Sequence, residues 1–311
     1  MTTITQATSG QKKQNSRFLE DAFQALKTEL ETMFGELDTE NAQRFLGNGD
    51  EFKADVQKAA LDSFGRLSIS NQFANEEVES TYGYLSGYQK PKGLTEQANR
   101  LRELFSGAGF VNLDLQGRIE KGEIALPAYA EGWSVIPNWM KNPEAWGTYN
   151  EALQKVLDAI KKTRNGAFYN YREGQIGPER LRQTKRAEKF FRELSEAQGN
   201  PDLLIVPTQF GIRHRGRSVR RSREVMLDNG NEFGLGAFAI GIMILAHPER
   251  LKNVDDLWID CAGDEYAPGA GVRFDRAPYF NFNDGGVGFD AGWTGSASGR
   301  YGSSSAFLPQ Q

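Results

Sequence analysis

The sequence predicts an α+β protein, with a helical N-terminal portion followed by a smaller mixed α/β C-terminal portion. Three observations support this class. Apolar residues recur at helical spacing in most segments before residue 199. Short apolar runs bounded by turn residues, which are typical of strands, lie mainly after residue 200. With 311 residues, of which 39% are hydrophobic, the chain can bury a sizeable core and is too apolar to be disordered.

The helical portion is expected to cover residues 17–199. Residues 1–16, MTTITQATSGQKKQNS, lack the apolar core of a signal peptide and are interpreted as a mobile tail. The first helix has an apolar face formed by Phe18, Ala22, Phe23, Leu26, Leu30, Met33 and Phe34. A second helix repeats this spacing at Phe52, Val56, Ala59, Ala60 and Phe64. Thr95 can cap a third, which Gly107 can end.

Residues 107–141 are rich in glycine and proline, and their short runs FVNLDL and EIALPAY are expected to be strands. Two further helices are predicted from proline at the first turn followed by glutamate, at Pro143 and at Pro178. The sequence Gly199-Asn200-Pro201 ends the helical portion.

Residues 200–311 are expected to form the mixed portion. The runs LLIVP (203–207) and LWIDC (257–261) predict short buried strands. Residues 279–290 predict a hairpin, because apolar and polar residues alternate on both sides of Asp284-Gly285. The run LGAFAIGIMILA (235–246) predicts a tightly packed buried helix or strand, and it is shorter than the 20 or so residues that cross a membrane.

A cluster of six arginines without a lysine is the main candidate for function. It comprises Arg213, Arg215, Arg217, Arg220, Arg221 and Arg223, in a chain of net charge −4. The planar guanidinium fork binds phosphate or carboxylate with two hydrogen bonds. The arginines could therefore hold an external anion, on a phosphate-bearing ligand or a nucleic acid, or form salt bridges with the acidic segment downstream. We expect Arg217 or Arg221 in an internal pair, with Arg213 and Arg215 exposed for a partner.

The acidic segment DDLWIDCAGDE (255–265) supplies the catalytic candidates. These are Asp260, Asp264 and Glu265, together with His214 from the arginine cluster. Carboxylates at a strand end can hold Mg²⁺ or Ca²⁺ or act as an acid/base pair. Alternatively, they can cap a helix and form salt bridges with the arginines. No metal site is predicted, since one cysteine and two histidines are too few for zinc, and the sequence assigns no cofactor. Cys261 is expected to be buried and unreactive, and His247 to begin a short helix.

Aromatic residues offer a further possibility. The five tryptophans are Trp133, Trp139, Trp146, Trp258 and Trp293, and several have tyrosines nearby. Such residues could stack on sugars or bases, or they could belong to the core.

The last third of the chain carries a resemblance. The motifs HPERL, DLWIDCAGDE, APYF, GW and YGSSSAF follow one another between residues 247 and 307. In this order they resemble the C-terminal portions of an uncharacterised bacterial protein family. The resemblance implies no activity, and it supports treating residues 200–311 as one unit.

The sequence leaves three functions open. The first is a binding or structural module whose arginine segment contacts phosphate or nucleic acid. The second is a metal-assisted hydrolase or transferase that uses residues 255–265. The third is a self-assembling structural protein, which would form a homo-oligomer. No membrane association is expected, and a single cysteine fits a reducing, cytoplasmic compartment.

Overall fold

The computed structural model describes residues 9–56, 72–269, 271 and 273–309. The chain divides into two compact units, Met1–Ser63 and Phe64–Gln311, and its helices and strands confirm the α+β class. The portions expected on either side of residues 199–202 both contribute to the second unit. This is because strand β1 (Gly132–Pro137) pairs with strand β4 (Leu203–Gln209) across that point.

The described residues of the first unit are mainly helical. Helix α1 spans Ser9–Gly35 and α2 spans Thr39–Gly47, and residues 49–56 are also helical. Residues 9–16, which were expected to belong to a mobile tail, are the first turns of α1, whereas residues 1–8 lie outside the described residues. Residues 57–64 of the second expected helix also lie outside them. Phe45 contacts the rings of Phe34 and Phe52, with centroids 4.6 and 5.0 Å away.

The second unit contains seven α-helices within its described residues. They are α3 (Leu94–Leu104), α4 (Leu113–Glu120), α5 (Pro143–Trp146), α6 (Tyr149–Thr163), α7 (Lys185–Ala197), α8 (Val219–Asp228) and α9 (Ala237–Ala246). Short 3-10 helices lie at Ile212–His214 and Pro248–Arg250. His247 directly precedes the second of these, which confirms its expected position.

Three local expectations are wrong. The run FVNLDL begins helix α4 rather than a strand, because Asn112 caps the helix by accepting a hydrogen bond from the backbone N–H of Leu115. Residues 123–129 have no regular structure. No helix begins at Pro178, where the chain instead leads into strand β3 (Leu181–Gln183). Helix α7 follows, because the Thr184 hydroxyl caps it by accepting from Ala187 N–H at 3.2 Å.

The strands form two sheets. The four-stranded sheet has the antiparallel order β1-β4-β11-β5, with β11 at Ser305–Phe307 and β5 at Glu232–Gly234. The seven-stranded sheet contains β3 and six further strands, namely β2 (Phe168–Asn170), β6 (Trp258–Asp260), β7 (Asp264–Tyr266), β8 (Arg276–Asn283), β9 (Gly286–Trp293) and β10 (Tyr301–Ser303). Strand β8 pairs with β9 along one edge and with β6 and β7 along the other.

The hairpin expected at residues 279–290 is confirmed by strands β8 and β9. Asp284 and Gly285 connect them with φ values of 50° and 77°. A two-residue turn with both residues at positive φ matches the twist of the flanking strands. This local signal therefore sets the register of the two longest strands in the sheet.

Helix α9 forms the centre of the second unit, and all ten of its residues are buried. It packs against α6 so closely that a Cβ at Gly241 would lie 2.5 Å from Val156 Cγ1. The same Cβ would lie 3.6 Å from the ring of Phe280 in β8. The glycine-spaced run is thus a tightly packed buried helix. None of the described helices combines the length and the apolar character needed to cross a membrane.

Candidate functional site

The arginine cluster lies on the 3-10 helix Ile212–His214, on the extended residues after it, and on the first turns of α8. The Ser218 hydroxyl caps α8 by accepting from the backbone N–H of Arg221 at 3.1 Å. The arginine side chains consequently leave the backbone in several directions and contact several different partners.

Arg213 and His214 share the buried carboxylate of Glu232. Arg213 Nε donates to both Glu232 oxygens at 3.1 and 3.0 Å, and His214 Nε2 lies 2.7 Å from Oε1. Ser305 and Asn229 also donate to this carboxylate, at 2.6 and 3.1 Å. Burial raises the pKa of Glu232, but His214, Ser305 and Arg213 bring it below its usual value. The expectation that Arg213 is exposed is wrong, because its side chain is only 17% exposed.

His214 is fully buried, and burial lowers its pKa. A neutral ring protonated on Nε2 satisfies both of its contacts, since Nε2 donates to Glu232 and Nδ1 accepts from Arg217 Nη1 at 3.3 Å. His214 thus holds the side chains of Glu232 and Arg217 in place. The arrangement leaves His214 enclosed by protein, where it cannot act as a base on an external molecule.

Arg217 and Arg221 both contact Glu77, with Nε to Oε1 distances of 3.2 and 2.5 Å. Arg221 also donates to Glu224 at 2.8 Å. Burial raises the pKa of Glu77, but Arg221 and Arg217 together lower it below its usual value. The expected internal pairing of Arg217 or Arg221 is confirmed, and it applies to both.

Arg220 holds Glu76 through both Nε and Nη2, with Nε at 2.8 and 2.7 Å from the two carboxylate oxygens. This contact lowers the pKa of Glu76. The downstream acidic segment was expected to supply the partners. The carboxylates come instead from upstream, at residues 76 and 77, and from residues 224 and 232.

The remaining two arginines contact backbone carbonyls. Arg223 is largely buried and donates to the oxygens of Ala262 and Asp264 at 2.9 and 2.6 Å. Arg215 is exposed and donates to the carbonyl of Tyr82 at 3.0 Å. The arginine cluster therefore connects residues 76–82, strand β5 and the end of the acidic segment to one another.

The three acidic candidates lie in different environments. Asp264 is fully buried and accepts hydrogen bonds from the Tyr149 hydroxyl at 2.8 Å and from the first N–H of α9, that of Ala237, at 2.7 Å. Burial raises the pKa of Asp264 to about 7, although these hydrogen bonds oppose the shift. Glu265 points the other way and pairs with Arg182 at 2.9 Å. Asp264 therefore caps the central helix.

Asp260 is 7% exposed, and its carboxylate makes no hydrogen bond with the described residues. Burial raises its pKa to about 7, and the charge of Arg223 only partly opposes this. Its neighbour Cys261 is fully buried, as expected, and burial raises the thiol pKa, as do Asp264 and Asp260. Within the described part of the chain, no three histidine, cysteine, aspartate or glutamate residues are grouped so that they could hold a metal ion.

Asp260 belongs to a row of polar residues that crosses the seven-stranded sheet. Strand register places Ser303 beside Asp260, Asp260 beside Tyr279, and Tyr279 beside Asp290. Side chains at registered positions share one face of a sheet. Ala277 and Gly292 are paired on the same face. Ala277 there packs against helix α8.

A second row lies beside the first. Tyr301 pairs with Trp258, and Asn281 pairs with Gly288. The Asn281 amide occupies the space above this glycine, because a Cβ there would lie 2.1 Å from Asn281 Oδ1. We call the side chains of the two rows the polar face, which comprises Trp258, Asp260, Tyr279, Asn281, Asp290, Tyr301 and Ser303.

Three aromatic rings of the polar face contact one another and are half-buried. The rings of Trp258 and Tyr279 are parallel within 7°, with centroids 6.1 Å apart. Tyr301 meets both edge-on, at 5.0 and 5.3 Å. Burial raises the pKa of Tyr279 to about 12, as does the neighbouring Asp290. These hydroxyls therefore stay protonated at neutral pH and can donate hydrogen bonds.

Several polar groups of this face have no partner among the described residues. Trp258 Nε1, Asn281 Oδ1 and Ser303 Oγ are buried and make no hydrogen bond. Together with the carboxylate of Asp260, they form two donors and two acceptors at adjacent positions. Asp290, in contrast, accepts from Arg172 Nε at 2.6 Å.

Unpaired buried groups also occur at His247 and Arg250, both of which are completely enclosed. The Arg250 guanidinium packs over the ring of Tyr84, 4.2 Å from its centroid, and donates to the carbonyl of Phe210 at 3.1 Å. Burial lowers the pKa of His247 to about 4. Neither side chain has any exposed surface, and the buried residues Tyr88 and Phe210 lie around them, so both belong to the core. On the polar face Ser303 is equally buried, but it lies in a row with half-buried rings that have exposed surface.

No family model, curated protein or solved structure matches this chain. Function is therefore argued from the site alone. The sequence pointed to Asp260 and, among the aromatics, to Trp258, but it did not connect them. The signal that could have done so is the alternation around Tyr279 and Asn281, which places both residues on one side of the predicted hairpin.

Proposed function

We propose that the chain binds a small, uncharged, hydroxyl-rich molecule, such as a sugar, on the polar face. The observation that carries the proposal is the set of unpaired groups at Trp258, Asp260, Asn281 and Ser303. Buried polar groups are nearly always hydrogen-bonded, and each one left unpaired costs about 1–3 kcal/mol. Because the unpaired atoms of Trp258, Asn281 and Ser303 have almost no exposed surface, a molecule would reach them only with a small movement of the half-buried rings, and pairing with them would then recover that free energy.

The mixture of groups favours hydroxyls as their partners. Trp258 Nε1 only donates, the ionised Asp260 carboxylate and Asn281 Oδ1 only accept, and Ser303 can do either. A hydroxyl both donates and accepts hydrogen bonds. A ligand with several hydroxyls can therefore pair with all four groups, whether each of them is a donor or an acceptor. A simple cation or anion lacks this versatility.

The local charges favour an uncharged ligand. Asp290 is already paired with Arg172. Asp260 has a pKa of about 7 and the charge of Arg223 nearby, and the Arg300 guanidinium lies 5.7 Å from the centroid of the Trp258 ring, so charges of both signs surround the site. The half-buried rings of Trp258, Tyr279 and Tyr301 add an apolar surface on which the C–H groups of a sugar ring could pack.

The arginine cluster supports a structural role in this proposal. Four of its six side chains are at least partly buried, the exceptions being Arg215 and Arg220, and the partners of all six are the protein's own carboxylates and carbonyls. An external anion at Arg213, Arg217 or Arg221 would have to displace a carboxylate that is already held at hydrogen-bonding distance.

The test is a binding titration with four neutral monosaccharides: glucose, galactose, mannose and N-acetylglucosamine. Binding is measured by calorimetry and by tryptophan fluorescence. We expect at least one to bind with Kd on the order of 1 mM, typical of a small exposed site. Trp258→Phe should remove most of the fluorescence response, and Asp260→Ala should weaken binding roughly tenfold, since it removes a hydrogen bond to a charged group.

Two control variants sharpen this test. Trp293→Phe changes a tryptophan that is 57% exposed and lies outside the polar face, and Asp255→Ala removes an exposed acid from the same segment as Asp260. Both should bind like the parent. Absence of binding by the parent at about 50 mM sugar, well above the expected Kd, would overturn the proposal, as would equal losses in the controls.

A further inference from the structure

Helix α1 carries an apolar seam that is typical of a coiled coil. Leu19, Phe23, Leu26, Leu30 and Met33 follow one another at spacings of four and three residues. This alternation is the a/d pattern of a heptad repeat, which places all five side chains along one line of the helix. We call these five residues the α1 seam.

The α1 seam is largely exposed. The exposed fractions are 45% for Leu19, 52% for Phe23, 39% for Leu26 and 63% for Met33, whereas Leu30 is half-buried. An apolar stripe of this length on a helix usually packs against another element, because exposing it to water is unfavourable. The regular 4-3 spacing suits a second helix better than a sheet or a small molecule.

We propose that the seam pairs with the same seam of a second copy of this chain, with the two helices antiparallel. In this arrangement Leu19 lies opposite the partner's Leu30, and Phe23 lies opposite the partner's Leu26. Twofold symmetry repeats both contacts, so a single self-complementary surface closes into a dimer.

Charges beside the seam select the antiparallel orientation. Glu20 and Lys27 occupy equivalent flanking positions one heptad apart, and both are exposed. In an antiparallel pair, Glu20 faces the partner's Lys27, and the contact occurs twice. In a parallel pair Lys27 would instead face the partner's Ala22, and Glu29 would face the partner's Phe34. Flanking charges of this kind set the orientation of coiled coils. Lys27 also lies 3.6 Å from Glu31, an exposed pair that contributes little.

The first test measures mass by sedimentation of the full-length chain between about 10 and 500 µM, because a seam of two heptads should give a Kd within this range. Leu26→Lys should keep the chain monomeric. The control Phe18→Lys changes a residue that is 67% exposed and lies off the seam, so it should leave the dimer intact. A parent that is monomeric at every concentration, or equal effects of the two variants, would overturn the dimer.

The second test addresses orientation. Glu20→Lys alone and Lys27→Glu alone should each weaken the dimer roughly tenfold by placing like charges opposite each other. An equimolar mixture of the two variants should form heterodimers, because every flanking contact then joins opposite charges. If the single variants dimerise like the parent, the antiparallel orientation is wrong.

Discussion

The arginine cluster and the polar face are both rich in polar side chains, and they differ in whether those side chains have partners. Glu232 alone receives hydrogen bonds from Arg213, His214, Asn229 and Ser305. On the polar face, Trp258 Nε1, Asn281 Oδ1 and Ser303 Oγ make no hydrogen bond with the rest of the described protein. A region whose groups are satisfied internally stabilises the fold, whereas a region with unpaired groups can bind something else.

The difference also shows that charge density along a sequence is a poor guide to a binding site. Six arginines within eleven residues are visible at once. Their carboxylate partners are not, because Glu76 and Glu77 lie about 140 residues away along the chain. The more informative property, an unpaired polar atom, is visible only after folding.

The largest effect is expected where the arginine cluster is most buried. Glu232→Ala removes the acceptor shared by Arg213 and His214, and it leaves a guanidinium largely buried without its carboxylate. Breaking a buried pair in this way costs about 3–5 kcal/mol. Urea unfolding, monitored by tryptophan fluorescence, measures this loss of unfolding free energy. The signal reports on the second unit, because all five tryptophans lie there.

Glu79→Ala is the control for Glu232→Ala, because Glu79 is exposed and forms no ion pair with a described residue. Its stability should match that of the parent. If Glu232→Ala also unfolds like the parent, the cluster is not the stabilising network described above, and its contrast with the polar face disappears.

The polar face should depend on pH in the opposite sense to the arginine cluster, whose carboxylates have lowered pKa values and therefore lose stability as the pH falls. Burial raises the pKa of Asp260 in the folded chain to about 7, above the value of about 3.9 expected when unfolded. The folded state therefore holds this proton more tightly. The stability from Asp260 is fully present below about pH 4 and is lost as the pH rises through 7, by up to about 4 kcal/mol.

Asp260→Asn removes this titration. The variant should match the parent near pH 4 and exceed its stability at pH 8, as measured by urea unfolding at both values. Asp255→Asn, at an exposed position in the same segment, should follow the parent at both. Parallel curves for the parent and Asp260→Asn would show that the Asp260 carboxylate is well solvated, contrary to its place on the polar face.

A smaller effect is expected at Arg221, whose side chain is 13% exposed and contacts Glu77 and Glu224. Arg221→Ala should cost about 2 kcal/mol, since hydrogen bonds between charged groups contribute about 1.5–3 kcal/mol. Arg220→Ala in the same helix removes a pair in which the arginine is 45% exposed, and it should cost less than about 1 kcal/mol. Thermal unfolding of the two variants side by side checks this order.

The smallest effect is expected at Arg215, which is exposed and donates to one carbonyl. Arg215→Ala should change stability by less than about 0.5 kcal/mol. The same variant tests the anion hypothesis. If the parent binds polyphosphate with a steep salt dependence, and Arg215→Ala makes that dependence shallower, the arginine cluster also serves an external partner.

Features set by nearby residues could be predicted from the sequence. The turn at Asp284-Gly285 predicted the hairpin, the apolar run at 235–246 predicted a buried helix or strand, and the apolar residues before Cys261 predicted its burial. Features that depend on distant pairing could not. The polar face forms only when β6, β8 and β10 come into register, and the spacing in α1 predicts a helix without saying what covers its apolar side.

Strand β11 has a consequence for the order in which the chain acquires its structure. It lies between β4 and β5, both of which precede it by about 70 residues or more. During synthesis these two strands emerge first and must remain unjoined until residues 305–307 arrive between them. Contacts of such long sequence separation slow folding, and the waiting strand edges can pair with other chains. A pause in synthesis before residue 305 should therefore promote aggregation.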